Sequence, residues 1–186
     1  LEGDFSKSKK HLLAAAKIQE KSHPDFKNEK VYQRYLLKIL DRHEDKYLGS
    51  FSLTSNKNLY VIGESHSLAS HRLHVQRSAS NFSCKALLVM GCQQWHLGNS
   101  SRNQYKNKFE SVFCSLPKCS DVLLAIGEID CRLDSGIIKH KAKYPQKDIK
   151  DLIVTTVENY LVYIVDNNLS RQHNVLIQGV PCPNID

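Results

Sequence analysis

The stretch Asn58-Leu59-Tyr60-Val61-Ile62-Gly63-Glu64-Ser65-His66-Ser67 decides the fold. Its apolar run, 59–62, has the length of a strand, and Gly63 lets the chain turn sharply where the run ends. Runs of the same texture recur at 86–90, 122–126 and 175–177. Continuous apolar runs of this length mark strands buried on both faces, as in parallel sheets covered by helices. Helical spacing fills the intervals. Over 148–167, Ile149, Leu152, Ile153, Thr156, Tyr160 and Ile164 fall on one broad apolar stripe. Residues 67–77 read as a shorter helix. The predicted class is α/β, a parallel sheet with helices on both sides.

Upstream the texture changes. Residues 49–57 hold three serines and a threonine and read as a linker. Residues 1–48 read as a helical segment: Leu12, Ala15 and Ile18 share a face, Pro24 ends the first helix, and Val31, Tyr35, Leu36 and Ile39 repeat at helical spacing. The predicted organisation is therefore a helical segment at 1–48, a linker at 49–57 and an α/β domain at 58–186.

Composition excludes several classes. The chain has 186 residues, 41% of them hydrophobic and 24% charged, which suits a globular protein and not a disordered one. No run approaches the roughly 20 apolar residues of a membrane helix, and no signal peptide opens the chain, so no membrane partner is expected. Lys and Arg number 26 against 19 acids, a net +7. One basic run, Lys139, Lys141, Lys143, Lys147 and Lys150 around His140, stands out. It carries only Tyr144 as an aromatic, a poor match to a nucleic-acid face, and reads as a solvated loop, with an anion-binding lobe as the alternative. The six cysteines form no C-x-x-C. Cys84, Cys92, Cys131 and Cys182 flank apolar runs and read as reduced thiols of a cytoplasmic protein. No cofactor or metal is expected.

Parallel sheets place ligands at the carboxyl ends of their strands. Four polar groups fall there. Gly63-Glu64-Ser65-His66-Ser67 puts a serine at the start of a helix, which suits a nucleophile whose intermediate bears negative charge, and equally suits a helix cap. His96-Leu97-Gly98-Asn99 offers a backbone N–H and a side-chain donor. In Gly127-Glu128-Ile129-Asp130-Cys131-Arg132, two carboxylates and an arginine are costly to bury unless paired, so Glu128 or Asp130 is expected to pair with Arg132. Gly179-Val180-Pro181-Cys182-Pro183 stiffens the last loop.

Together these blocks resemble the SGNH, or GDSL-like, hydrolase family over residues 58–183. Gly63-Glu64-Ser65 is similar to its Gly-Asp-Ser block, Gly98 to its second-block glycine, and Gly127-Glu128-Ile129-Asp130 to its Gly-x-Asn-Asp block. The combination resembles an uncharacterised bacterial branch often joined to tetratricopeptide repeats. The order Gly3-Asp4-Phe5, Ser8, Leu12, Ala15 and a later proline is similar to the second helix of such a repeat.

The resemblance implies a flavodoxin-like three-layer sheet preceded by a helical hairpin. It also implies a serine esterase or acyl transferase acting on an acyl ester, such as an O-acylated carbohydrate. Ser65 becomes the nucleophile. Ser65 and Gly98 hold the oxyanion, helped by Asn99 or Arg132, while Glu128 and Asp130 order the loop or the substrate.

The chain departs from the family in two places. Ile129 stands where the family carries an asparagine donor. The family's Asp-x-x-His is absent, so its base is expected on a segment past Asp186, on another histidine, or not in use. His96 is the candidate base within the chain. His66, next to Ser65, is expected to project elsewhere, and His71 and His74 are expected on the surface or in the core. The competing expectation is an inactive binding module with a protein partner on the helical segment.

Overall fold

The computed structural model describes residues 5–19, 27–44 and 57–180. The chain divides into two compact units, Leu1–Leu53 and Thr54–Asp186. Pro24, residues 49–56 of the expected linker, and 181–183 of the last loop lie outside the described residues; Lys57 already belongs to a strand.

The first unit holds two helices, α1 (Phe5–Gln19) and α2 (Lys27–Glu44). Leu40 and Ile39 of α2 are buried. Gln33, also buried, donates from Nε2 to the Leu12 carbonyl, and Lys9 pairs with Asp41 at 2.8 Å. The apolar spacing of α2 explains its buried face, although Val31 of that series is exposed.

The second unit is built on a five-stranded sheet: β1 (Lys57–Gly63), β2 (His74–Arg77), β3 (Ser80–Leu88), β4 (Asp121–Ala125) and β5 (Asn174–Ile177). Their order is β2-β3-β1-β4-β5, and β1 pairs parallel to β3 and β4, as β4 does to β5. Only the edge strand β2 is antiparallel. With its helices the unit is a mixed α/β structure compatible with a three-layer fold. Ile62, Val122 and Leu124 of the strands share one core with Leu97 of α3 (Gln94–Gly98), Phe109 and Phe113 of α4 (Gln104–Ser115), and Tyr160 and Ile164 of α6 (Ile149–Asn168). Polar residues set where the helices begin. Asn103 Oδ1 accepts from the N–H groups of Tyr105 and Lys106, and Asp148 Oδ1 from those of Lys150 and Asp151.

Three expectations are corrected. Residues 67–77 do not form a helix: a 3-10 turn, Ser65–Ser70, leads into β2. Ser78 takes φ +53° in the turn that follows, and β2 folds back on β3 from there. The second apolar run, 86–90, is not a strand of its own: 86–88 close the longer β3, in which Phe82 and Cys84 already alternate inward, and Val89 and Met90 lie past its end. The basic run is a loop only in part: Lys139, Lys141 and Lys143 lie on α5 (Gly136–Lys143), Lys147 lies in the loop that follows, and Lys150 belongs to α6. Among the described residues no helix is long and apolar enough to cross a membrane, and Cys84, Cys92, Cys114, Cys119 and Cys131 are free thiols.

Candidate functional site

From β1 the chain crosses to β3 on one side and later to β4 on the other, so the topological switch lies between β1 and β4. In open α/β sheets this crevice is where ligands bind. The loops that leave β1 and β4 carry Glu64-Ser65-His66 and Gly127 to Arg132. Close packing of these strand ends depends on Gly63, which pairs with Ala125; a Cβ on it would lie 2.4 Å from the Ala125 carbonyl oxygen.

Glu64 is buried, and its carboxylate organises the first loop. Oε2 accepts from the Ser65 hydroxyl at 2.9 Å and from the His66 N–H at 3.2 Å. Oε1 lies 2.6 Å from His66 Nδ1. The same nitrogen stands 3.8 Å from Glu128 Oε2. Glu128 in turn receives Arg132, with Nη2 to Oε2 at 2.6 Å and Nε to both oxygens at 3.0 Å. A chain of contacts therefore runs from Ser65 through Glu64, His66 and Glu128 to Arg132. The His66 ring meets the two carboxylates, so it joins this cluster through Glu64 and Glu128. Glu-x-His two apart on a tight turn was the available signal, and adjacency to Ser65 obscured it.

Ligand atoms of Glu64, His66 and Glu128 all lie within 4.8 Å of one another. Two carboxylates and an imidazole are a donor set that suits Zn²⁺ or Mn²⁺. Here the same atoms are engaged with one another and with Arg132, which supplies the positive charge.

The expected pairing of Arg132 is with Glu128, and Asp130 has other partners. Asp130 is buried, and its two oxygens accept from the backbone N–H groups of Gln94, at 2.8 Å, and Trp95, at 3.2 Å. It caps the start of α3 from the β4 loop. Gln94 reciprocates by donating from Nε2 to the Ile126 carbonyl at 2.9 Å. Burial pushes the Asp130 carboxyl up, against the opposing effect of these N–H groups.

The Glu128–Arg132 pair is only partly covered, with Arg132 41% exposed. Its loss therefore belongs with surface ion pairs, not with buried ones. Arg132→Ala is expected to lower stability by about 1 kcal/mol or less in a thermal melt. A drop of several kcal/mol would mean that Arg132 holds more than Glu128.

The remaining sequence-predicted residues form a second group around α3. Gly98 ends that helix against α6, where a Cβ would lie 2.9 Å from Asn159 Cβ and 3.0 Å from the Tyr160 nitrogen. Helix packing accounts for this glycine. Asn99 Oδ1 accepts from the Ser101 N–H, and its carbonyl from the buried Lys106 ammonium. His96 Nδ1 accepts from the Gln93 N–H at 3.1 Å, and its ring stacks on Tyr105 with centroids 3.8 Å apart. Burial lowers its pKa. These contacts tie His96, Gly98 and Asn99 to α4 and α6, whereas Ser65 is tied to Glu64. Ile129 opens a 3-10 turn, Ile129–Cys131. His71 is buried, with Nδ1 accepting from the Ala86 N–H at 3.2 Å, and His74 is exposed on β2.

No family model matches the chain, and no curated protein or solved structure matches it either.

Proposed function

We propose that the protein is a serine ester hydrolase or acyl transferase of SGNH type, acting through Ser65 on an O-acylated carbohydrate. The observation that carries this reading is the placement of Ser65. It opens the loop after β1 beside the switch point of the sheet, with its hydroxyl on the buried Glu64 carboxylate and the Glu128–Arg132 pair on the facing loop. In this mechanism Ser65 Oγ adds to the acyl carbon and Glu64 accepts the hydroxyl proton. The ester C–O bond then breaks, and the departing alcohol takes that proton. Water or a second alcohol releases the acyl group from Ser65 by the reverse sequence. Arg132 and the Ser65 N–H stabilise the oxyanion, and His66 holds the Glu64 carboxylate in place.

A second reading, a binding module without catalysis that meets a protein partner through its helical unit, is favoured by three observations. Ile129 replaces the oxyanion asparagine of the family it resembles, Gly98 serves helix packing, and His96 is bound to Gln93 and Tyr105.

A fluorophosphonate probe separates the two. The protein as its gene encodes it is expected to carry the adduct on Ser65 by mass spectrometry, and Ser65→Ala to carry none. Glu64→Gln is expected to slow labelling by about 10²-fold or more, as for loss of a general base. Folded protein that takes up no probe at Ser65, and that hydrolyses a panel of acyl esters no faster than Ser65→Ala, moves the assignment to the binding module.

A further inference from the structure

We propose that the cavity between α3, α5 and α6 binds a small organic anion with a flat apolar body, of the aromatic carboxylate kind. This goes beyond the Ser65 reading, because no residue of the Ser65 cluster lines the cavity. Its volume is about 270 Å³, and its walls include Trp95, His96, Ile137, Lys139, His140 and Lys143. That is at the small end for ligand sites and suits a single ring.

The lining is apolar at its centre and cationic at its rim. Trp95 and His140 face each other with ring centroids 5.5 Å apart. Lys139 and Lys143 are one turn apart on α5 and both line the cavity, with Lys143 Nζ also 5.5 Å from the centroid of the Tyr144 ring. Neither is in an ion pair among the described residues, and no carboxylate lines this cavity. Lys141, between them, is turned away and donates to the carbonyls of Pro145 and Lys147. The nearest acid of the following loop, Asp148, is engaged in capping α6.

The His140 ring is part of this lining and also packs on Tyr144, with centroids 4.7 Å apart. His96 also lines the cavity and carries a hydrogen-bond donor. Because its Nδ1 accepts from Gln93, the proton of the neutral ring sits on Nε2. A cation would meet Lys139 and Lys143 unfavourably, and a neutral ring would gain only the aromatic contacts. A ring with an anionic group uses both features.

The chain has a single tryptophan, and it lines this cavity. Trp95 fluorescence therefore reports occupancy. The probes are benzoate, benzamide and benzylamine, which share a ring and differ in charge. Benzoate is expected to change the emission saturably, with a Kd at least tenfold below that of benzamide, and benzylamine to give no saturable change. The double variant Lys139→Gln/Lys143→Gln, both at exposed positions, is expected to melt like the parent and to bind benzoate no better than benzamide. Removing the same charge at exposed Lys85 and Lys118 is expected to leave benzoate affinity unchanged, as is Ser65→Ala, so that failure of either proposal is distinguishable. Equal affinities for benzoate and benzamide, benzoate binding that survives Lys139→Gln/Lys143→Gln, or no saturable response to any probe would each overturn the assignment.

Discussion

Replacing Asp130 by alanine is expected to destabilise the α/β unit by about 3 kcal/mol, a fall in Tm of about 10 °C for a unit of this size. The carboxylate is buried and accepts from two backbone N–H groups, those of Gln94 and Trp95. Alanine leaves both donors without a partner under the surface, at about 1–3 kcal/mol each. It also unlatches the β4 loop from α3, which carries Trp95, His96 and Gly98 on one short helix. Urea unfolding at neutral pH measures the effect. A change below 1 kcal/mol would mean that water reaches these N–H groups as soon as the side chain is gone.

Asp130 also gives the stability a pH signature. Burial raises its folded pKa above the ordinary 3.8. The folded chain then holds this proton more tightly than the unfolded chain does. Its contribution is fully present below about 3.8 and is lost as pH rises through the folded value. Stability relative to Asp130→Asn should therefore fall with rising pH across that window and then level off. The opposite slope would show that the two N–H groups outweigh burial and depress the pKa.

Gly63→Ala is the second large effect. Gly63 is buried at the end of β1, paired to Leu88 on one side and Ala125 on the other. An added Cβ would lie 2.4 Å from a backbone oxygen and 3.0 Å from the Cβ atoms of Ala125 and Ser67. A backbone atom in a central strand cannot rotate away, so β1 and β4 must separate where the Glu64 and Glu128 loops emerge. The expected cost is about 3 kcal/mol, at the upper end for overpacking. Gly179→Ala provides the control, since nothing lies within 4 Å of its added Cβ, and it is expected within about 0.5 kcal/mol of the parent. If the two variants unfold at the same urea concentration, the strand ends have room that this geometry denies them.

Much of the framework was legible in the residues. The apolar runs at 59–62, 122–126 and 175–177 lie in β1, β4 and β5 to within a residue or two, because strands buried in a sheet need continuous apolar sequence. The stripe at 148–167 is α6, capped by Asp148. What escaped was structure that follows pairing more than local pattern. Residues 74–77 have no strong strand character and are held by β3 alone, as an edge strand. Lysines at 139, 141 and 143 read as solvent-facing, which they largely are, yet their backbone is helical and Lys139 and Lys143 stand at the rim of a cavity.

The polar residues divide along the same line. Sequence by itself determined which loops hold them, since strand ends are set by where apolar runs stop. That places Ser65, Glu128, Asp130 and Arg132 at the carboxyl edge of the sheet. It could not tell partners apart, because a carboxylate looks the same whether it meets an arginine or two backbone N–H groups. Tertiary structure decided that Glu128 takes Arg132, that Asp130 caps α3, that Glu64 gathers Ser65 and His66, and that Gly98 fits against α6. Those choices rest on distances across the gap between β1 and β4 and between α3 and α6, set by strand order and helix packing and not by spacing along the chain.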